Sequence, residues 1–324
     1  MLPVSDRRAA IPTRDPRANT REPRVKVGVI GLGDIAHKAY LPVITTQPGV
    51  RPLLHTRSRA TLERAAHAHR VPPEHCHTDL DGLIAARPDA AFVHAPTAAH
   101  PAIVTRLLSA GIPTYVDKPL ASELGAAQRL VELAEERGVP LAVGFNRRHA
   151  PAYAHCLEHP RDLIVLQKHR RSLPESPRQT VFDDFIHVVD TLRFLAPGDV
   201  DRVAVTARVR HGLLHHVVLQ LAGDGFTALG VMNRVSGSAE EILEVSGQDR
   251  KREIRNLAEI TDHKGQPSVR RRGDWVPVAR QRGIEQAAVG FLDAVRAGRA
   301  LSARDALRSH ELCERVVRAA LGQD

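Results

Sequence analysis

Apolar residues in this chain first fall into a regular rhythm at Val25. Val25, Val27, Val29 and Ile30 make a short apolar strand, followed by two closely spaced glycines and a helix-like stretch from Ile35. Strand-like runs at 52–55, 90–94, 114–116 and 141–144 then alternate with helix-spaced runs at 59–69, 80–86, 100–110 and 124–137. Strand–helix alternation of this kind builds a doubly wound parallel sheet. After Asn146 the rhythm changes. A strand at 163–168 and a helix at 184–195 precede strand-like runs at 203–209, 215–221, 227–233 and 240–246. Consecutive strands without intervening helices predict a mostly antiparallel open sheet, hence an α+β second part. Helices at 285–297 and 303–321 close the pattern. The expected division is an arm at 1–24, an α/β domain at 25–145 and an α+β domain at 146–324, which would bind substrate and form oligomer contacts. The last helices are free to pack back on the first domain.

The 324 residues suit two domains of ordinary size, and 43% hydrophobic against 26% charged residues excludes a wholly disordered chain. Residues 1–24 hold Pro3, Pro12, Pro16 and Pro23, six arginines and three acids, without any period. They read as a disordered or extended arm, and the acids argue against a transit peptide. Cys76, Cys156 and Cys313 are far apart and fit neither a disulfide framework nor a CxxC metal site. No apolar run approaches a membrane span and no secretory apolar region opens the chain, so a soluble cytoplasmic protein is expected. Lys+Arg 46 against Asp+Glu 37 gives +9, which raises nucleic acid as a partner. Only one Trp, three Tyr and seven Phe are present, too few for stacking platforms, and no nucleic-acid motif appears. Residues 1–26 alone carry +4 of the charge, and the rest points to a smaller anion.

The first strand ends in Gly31-Leu32-Gly33-Asp34-Ile35-Ala36, a G-x-G-x-x-A loop between a strand and a helix. Gly31 suits the tight turn, Gly33 the approach of a pyrophosphate, and Ala36 close helix–strand packing; the helix N-terminus offers N–H groups to the phosphates. This is the Rossmann dinucleotide signature, with Gly31, Gly33, Asp34 and Ile35 at the cofactor. The second strand of such a domain usually ends in an acid that binds the ribose of NAD. Here the stretch is His55-Thr56-Arg57-Ser58-Arg59, without an acid. Thr56, Arg57 and Ser58 suit a 2′-phosphate, so NADP(H) is preferred and NAD remains possible. The competing reading makes Arg57 or Arg59 a solvated residue at a helix start.

Further motifs carry a resemblance. A-P-T-A-A-H at 95–100, S-A-G-I-P-T-Y-V-D-K-P at 109–119, V-G-F-N-R-R at 143–148 and D-D-F-I-H-V-V-D at 183–190 resemble the Gfo/Idh/MocA oxidoreductases, among them glucose–fructose oxidoreductase and inositol dehydrogenase. D-K-P, V-G-F-N-R-R and K-H-R at 168–170 are most similar to the MviM-like branch. The likeness covers about residues 25–195.

The resemblance implies a dehydrogenase or reductase acting on CH–OH or C=O. Ala95, Pro96, Thr97, His100, Asp117, Lys118 and Asn146 would lie on the cofactor. Lys118 would touch nicotinamide and the reacting oxygen, where an ammonium stabilises an alkoxide. Asp117 replaces a commoner Glu, and Pro119 would stiffen the turn, with a cis bond as one option. His187 would transfer the proton, with Asp183 orienting it or binding substrate. Spacing puts Asp183, His187 and Asp190 on one helical face. Asp183 could equally cap the helix, and His187 could be a buried structural histidine. Phe185 stands where the family commonly has glycine, and would narrow the pocket or turn the helix. Lys168 and Arg170 share a strand face and suit a substrate carboxylate or phosphate, or form a solvated basic edge. Asn146 and Arg148 are expected at the interdomain joint, Arg148 on the substrate.

His75-Cys76-His77 has poor spacing for a metal, and no metal is expected. His94 ends a strand at the cofactor edge, His100 opens a helix in a structural role, and His215 and His216 must face opposite sides. The function read from all this is an NADP(H)-dependent oxidoreductase for a sugar, cyclitol or related small metabolite, with an anionic one as an option, working as a homodimer or homotetramer. Alternatives are an imine or enone reductase, or a cofactor-binding regulatory protein without turnover.

Overall fold

The computed structural model describes residues 25–323; the arm expected at 1–24 lies outside the described residues. β1 (Val25–Ile30) is central to a six-stranded sheet and leads through a π-turn at Ala36–Tyr40 into α1 (Leu41–Ile44). There follow β2 (Val50–His55), α2 (Arg59–His69), β3 (Cys76–His77), α3 (Leu80–Ala85), β4 (Ala90–Val93), α4 (His100–Ser109), β5 (Thr114–Val116), α5 (Leu124–Arg137) and β6 (Leu141–Val143). The strand order is β3-β2-β1-β4-β5-β6, all parallel. Ser58 starts α2 by accepting the Thr61 N–H, and Asp79 starts α3 by accepting the Gly82 N–H at 2.6 Å. All four residues of β4 are buried, as a strand covered on both faces requires.

After α6 (Pro151–Ala154) and β7 (Leu163–Lys168), α7 (Pro177–Thr180) runs through a second π-turn, Val181–Phe185, into α8 (Ile186–Leu195). Then come β8 (Arg202–Arg210), β9 (Leu213–Gly223), β10 (Phe226–Asn233), β11 (Glu241–Gly247), β12 (Arg250–Arg255), β13 (Glu259–Lys264) and β14 (Gln266–Arg271). These form an eight-stranded sheet, β14-β13-β12-β11-β7-β10-β9-β8, antiparallel except at β7–β10. β12 to β14 escaped the sequence pattern. The helix expected from residue 184 starts earlier, at Pro177, with Ser176 as its cap. Asp183 is therefore inside the helix and caps nothing.

One face of the large sheet is buried under α8. A Cβ on Gly230 would stand 2.6 Å from Val188 Cγ1 and 2.9 Å from Leu192 Cδ1, so α8 lies where only glycine leaves room. Phe185 is fully buried in this same core, beside Gly230. It is absent from the lining of the cavity at the strand ends. The chain then passes α9 (Val278–Gln281), α10 (Ile284–Arg296) and α11 (Arg304–Ala320). α10 returns to the first sheet, where Phe291 meets Phe92 edge-on at 5.3 Å. α11 packs against α8, β8 and α5.

Candidate active site

Gly31 has φ +86°, and a Cβ there would sit 2.5 Å from the Ala95 nitrogen. The turn out of β1 thus needs both the left-handed conformation and the missing side chain. A Cβ on Gly33 would meet nothing within 4 Å, so the loop is open on the side where a dinucleotide's phosphates would lie. Leu32, Gly33 and Asp34 line a hollow of about 360 Å³ with His37, Thr61 and Arg64. Asp34 itself pairs with Lys38. At the end of β2, Ser58 is spent on its cap and Arg59 on Glu63, while Arg57 is exposed without an ion-pair partner among the described residues. These residues fit a dinucleotide across the ends of β1 and β2.

Beyond Ile35 lies a cavity of about 460 Å³. Ala95, Pro96, Thr97 and His100 follow β4, Asp117 and Lys118 follow β5, and Asn146 follows β6; all line it. So do Lys168, Arg170, Asp183 and His187 from the second half. The carboxyl ends of parallel strands are where ligands bind in open α/β sheets. Sequence reasoning missed Tyr40, Gly144, Arg147, Asp184, Arg282 and Ile284, which complete the lining. Arg147 and Asp184 each stand beside a residue that was singled out. Arg282 carries no local signal, because only the return of α10 brings it there.

The Lys118–Pro119 bond is cis, and Lys118 donates from Nζ to the Asp183 carbonyl. Burial pulls its ammonium below the usual lysine range, against Asp184, Asp117 and Asp183. Behind it, His94 Nδ1 lies 2.8 Å from Asp117 Oδ2, and the His94 ring packs on Tyr40 at 4.0 Å. Burial pushes the Asp117 carboxyl up, but His94, Tyr40 and His100 together hold the group below its ordinary value. The two ring nitrogens of His100 lie 2.9 and 2.8 Å from the Pro119 and Ala95 carbonyls, tying the two loops together. From α11, His310 accepts the Leu120 N–H at 2.9 Å, fixing the far side of the lysine turn.

His187 Nδ1 is buried without a hydrogen-bond partner among the described residues. Burial, then Arg147, Lys168, Lys118 and Arg170, hold its pKa well below the usual value, so the ring is neutral. Asp190 does not share the cavity. It is buried and accepts Arg148 Nε at 2.8 Å, Arg148 Nη2 at 2.6 Å and the Ser309 hydroxyl at 2.8 Å. This corrects the expectation for Arg148, whose guanidinium is closed on Asp190 and Asp305 and lines no part of the cavity. Lys168 and Arg170 also change role. They do share a face, but both are bound to Asp184, so the expected substrate clamp is already filled from within the protein.

Known proteins resemble this chain in sequence and fold. A sequence profile described as an oxidoreductase family with an NAD-binding Rossmann fold matches residues 25–145, and one for a YceM-like C-terminal domain matches 151–265. The chain is 34% identical over 278 residues to YceM of Salmonella typhimurium, covering 84% of this chain and 89% of that protein. It is 30% identical over 186 residues to an inositol 2-dehydrogenase of Paracoccus denitrificans, about half of each chain (54% and 55%). A crystal structure of a Gfo/Idh/MocA family oxidoreductase from Vibrio cholerae, 32% identical, superposes with a TM-score of 0.86, covering 92% of this chain and 99% of that one.

Proposed function

Because the chain belongs to the Gfo/Idh/MocA family of NAD(P)-dependent dehydrogenases, we propose that it passes hydride between NADP(H) and a hydroxyl- or carbonyl-bearing carbon of a sugar, cyclitol or related metabolite. The observation that carries this is the meeting of Lys118, Asp183 and His187, from both halves of the chain, in one cavity beyond an open glycine loop. Bound nicotinamide would supply or accept the hydride there. Lys118 is the cation for the oxygen that gains charge, held in place by the Asp183 carbonyl and its tied turn. His187, neutral and lining the cavity, hydrogen-bonds the reacting oxygen. Asp117 positions Lys118 through its neighbouring peptide and is itself steadied by His94.

The preference for NADP(H) is supported by Arg57, exposed and unspent where an acid would favour NAD. Half-buried Val165, Val218, Leu229, Val231 and Ile242 on the outer face of the large sheet support a homodimer or homotetramer. Three free cysteines suit the cytoplasm. The test is a fluorescence titration with NADPH and NADH, followed by a screen of polyols and sugars with the preferred cofactor. NADPH should bind more tightly, and Lys118→Ala should abolish oxidation while leaving cofactor binding measurable. Binding of neither cofactor overturns the reading.

A further inference from the structure

We propose that Lys168 is the proton-exchanging residue of this cavity: its free amine takes the proton that leaves a substrate hydroxyl on oxidation, and its ammonium returns it on reduction. This rests on the oxidoreductase reading above.

The chain makes almost all of its positive charge with arginine. Of its 46 basic residues only Lys26, Lys38, Lys118, Lys168, Lys251 and Lys264 are lysines, and two of these six line the cavity. Arginine stays charged at any working pH, whereas a buried lysine can give up its proton. Lys168, at the end of β7, is 2% exposed, with Nζ 2.7 Å from Asp184 Oδ1 and 3.9 Å from Glu241 Oε2.

Neither carboxylate belongs to it alone. Glu241 on β11 accepts both Nε and Nη2 of Arg147 at 2.8 Å, and the Tyr153 hydroxyl from α6 at 3.0 Å. Asp184 in the π-turn accepts two N–H groups of Arg170, which follows β7, and one of Arg234, which follows β10. Arg234 also pairs with Glu175. The cluster therefore sets four cations (Arg147, Lys168, Arg170 and Arg234) against three carboxylates (Asp184, Glu241 and Glu175). Lys118, Asp183 and the neutral His187 also line the cavity, where the charges of the lysine and the aspartate offset each other and leave the excess of one cation unchanged. A buried uncompensated cation is costly, and Lys168 is the one member of the four able to relieve it. Burial, then Arg147, bring its pKa down to about 7.

The proton balance needs such a group. Oxidation of a carbinol breaks its C–H bond, the hydride passing to oxidised nicotinamide, and its O–H bond, whose electrons complete the carbonyl. The proton must rest somewhere. His187 can accept a hydrogen bond, but the cations around it disfavour an imidazolium. Lys168 lines the same cavity and, with the Asp184 carboxylate 2.7 Å from its Nζ, has a partner for the ammonium that His187 lacks.

The test uses the full chain labelled with ¹³C at lysine Cε, which gives six signals, and Lys168→Met to assign one. That signal should titrate with a midpoint about 7, far below the value near 10.4 of a free lysine. A midpoint above 9 overturns the proposal. With the alcohol that the wild type oxidises fastest, the rate should show a limb with that same midpoint. Lys168→Met should remove the limb and slow turnover by about a hundredfold, with the NADPH dissociation constant within twofold. An unchanged rate and profile would reject the role. A wild type that binds no dinucleotide would instead reject the oxidoreductase reading, whatever the titration gives.

Discussion

At the end of β2 one charged side chain has nothing to hold. Thr56, Arg57 and Ser58 all looked like phosphate ligands, but the Ser58 hydroxyl is the cap of α2 and Arg59 is paired with Glu63. The phosphate reading contracts to Arg57, with Thr56 beside it. Arg57→Ala should weaken NADPH binding by about tenfold, the worth of a charge-assisted hydrogen bond, and change NADH binding by less than twofold. Ser58→Ala should cost about 1 kcal/mol of stability through the lost cap and leave the cofactor ratio alone. Paired titrations read both variants, and equal loss for the two cofactors in Arg57→Ala would remove the 2′-phosphate argument. Single residues were most legible where chemistry and local motif coincide, as at Lys118 and His187. Arg148 misled because sequence cannot say which of two adjacent arginines turns inward: Arg147 took Glu241 at the cavity, and Arg148 took Asp190.

The element that decides the site is the π-turn at Val181–Phe185. A regular helix would have carried Asp183, His187 and Asp190 along one face. The wide turn breaks that phase, bringing Asp184 to Lys168, Arg170 and Arg234 and burying Phe185 in the core. Hydrophobic periodicity registers apolar faces, and a single wide turn leaves too little trace in it to be read. β12 to β14 were illegible for a related reason. They are held by charged cross-strand pairs, Arg252–Asp262 and Arg271–Glu259, in place of apolar alternation. The apolar strands of both sheets and most of their helices were legible, because burial wrote the period that folding uses. The seat of α8 makes a sharper claim. Gly230→Ala should force Val188 and Leu192 aside and lower stability by about 1–3 kcal/mol. Gly33→Ala, with open space at its Cβ, should leave stability unchanged while weakening dinucleotide binding. Urea melts and NADPH titration distinguish the two, and an unaffected Gly230→Ala would mean that α8 does not seat there.

For the whole molecule, the +9 of the sequence conceals how the charge is disposed. Many of its acids are committed to arginines that join distant elements: Asp305 on α11 to Arg148 and Arg193, and Glu241 on β11 to Arg147 beside β6. Burial alone would raise Asp184, Glu241 and Asp305, but the cations against them hold all three below the ordinary carboxylate range, Asp305 at about 2. Burial likewise lowers His187 and His310, which the fold keeps neutral. In each case the folded chain binds fewer protons than the unfolded one, so acid favours unfolding. The histidines exact their share as pH falls below about 6.5, where the unfolded imidazoles protonate, and the carboxylates below about 4.3. Lys168 acts with the same sign at higher pH, because its folded value near 7 lies below that of a free lysine. On the alkaline side the sign reverses at Cys156, which burial raises to about 12 and which therefore stabilises less above about pH 8.5. The urea midpoint should thus fall from pH 7.5 to 5.5 and more steeply from 5.5 to 4. A midpoint flat between pH 4 and 7.5 would mean that these buried pairs and neutral histidines do not hold the two sheets together.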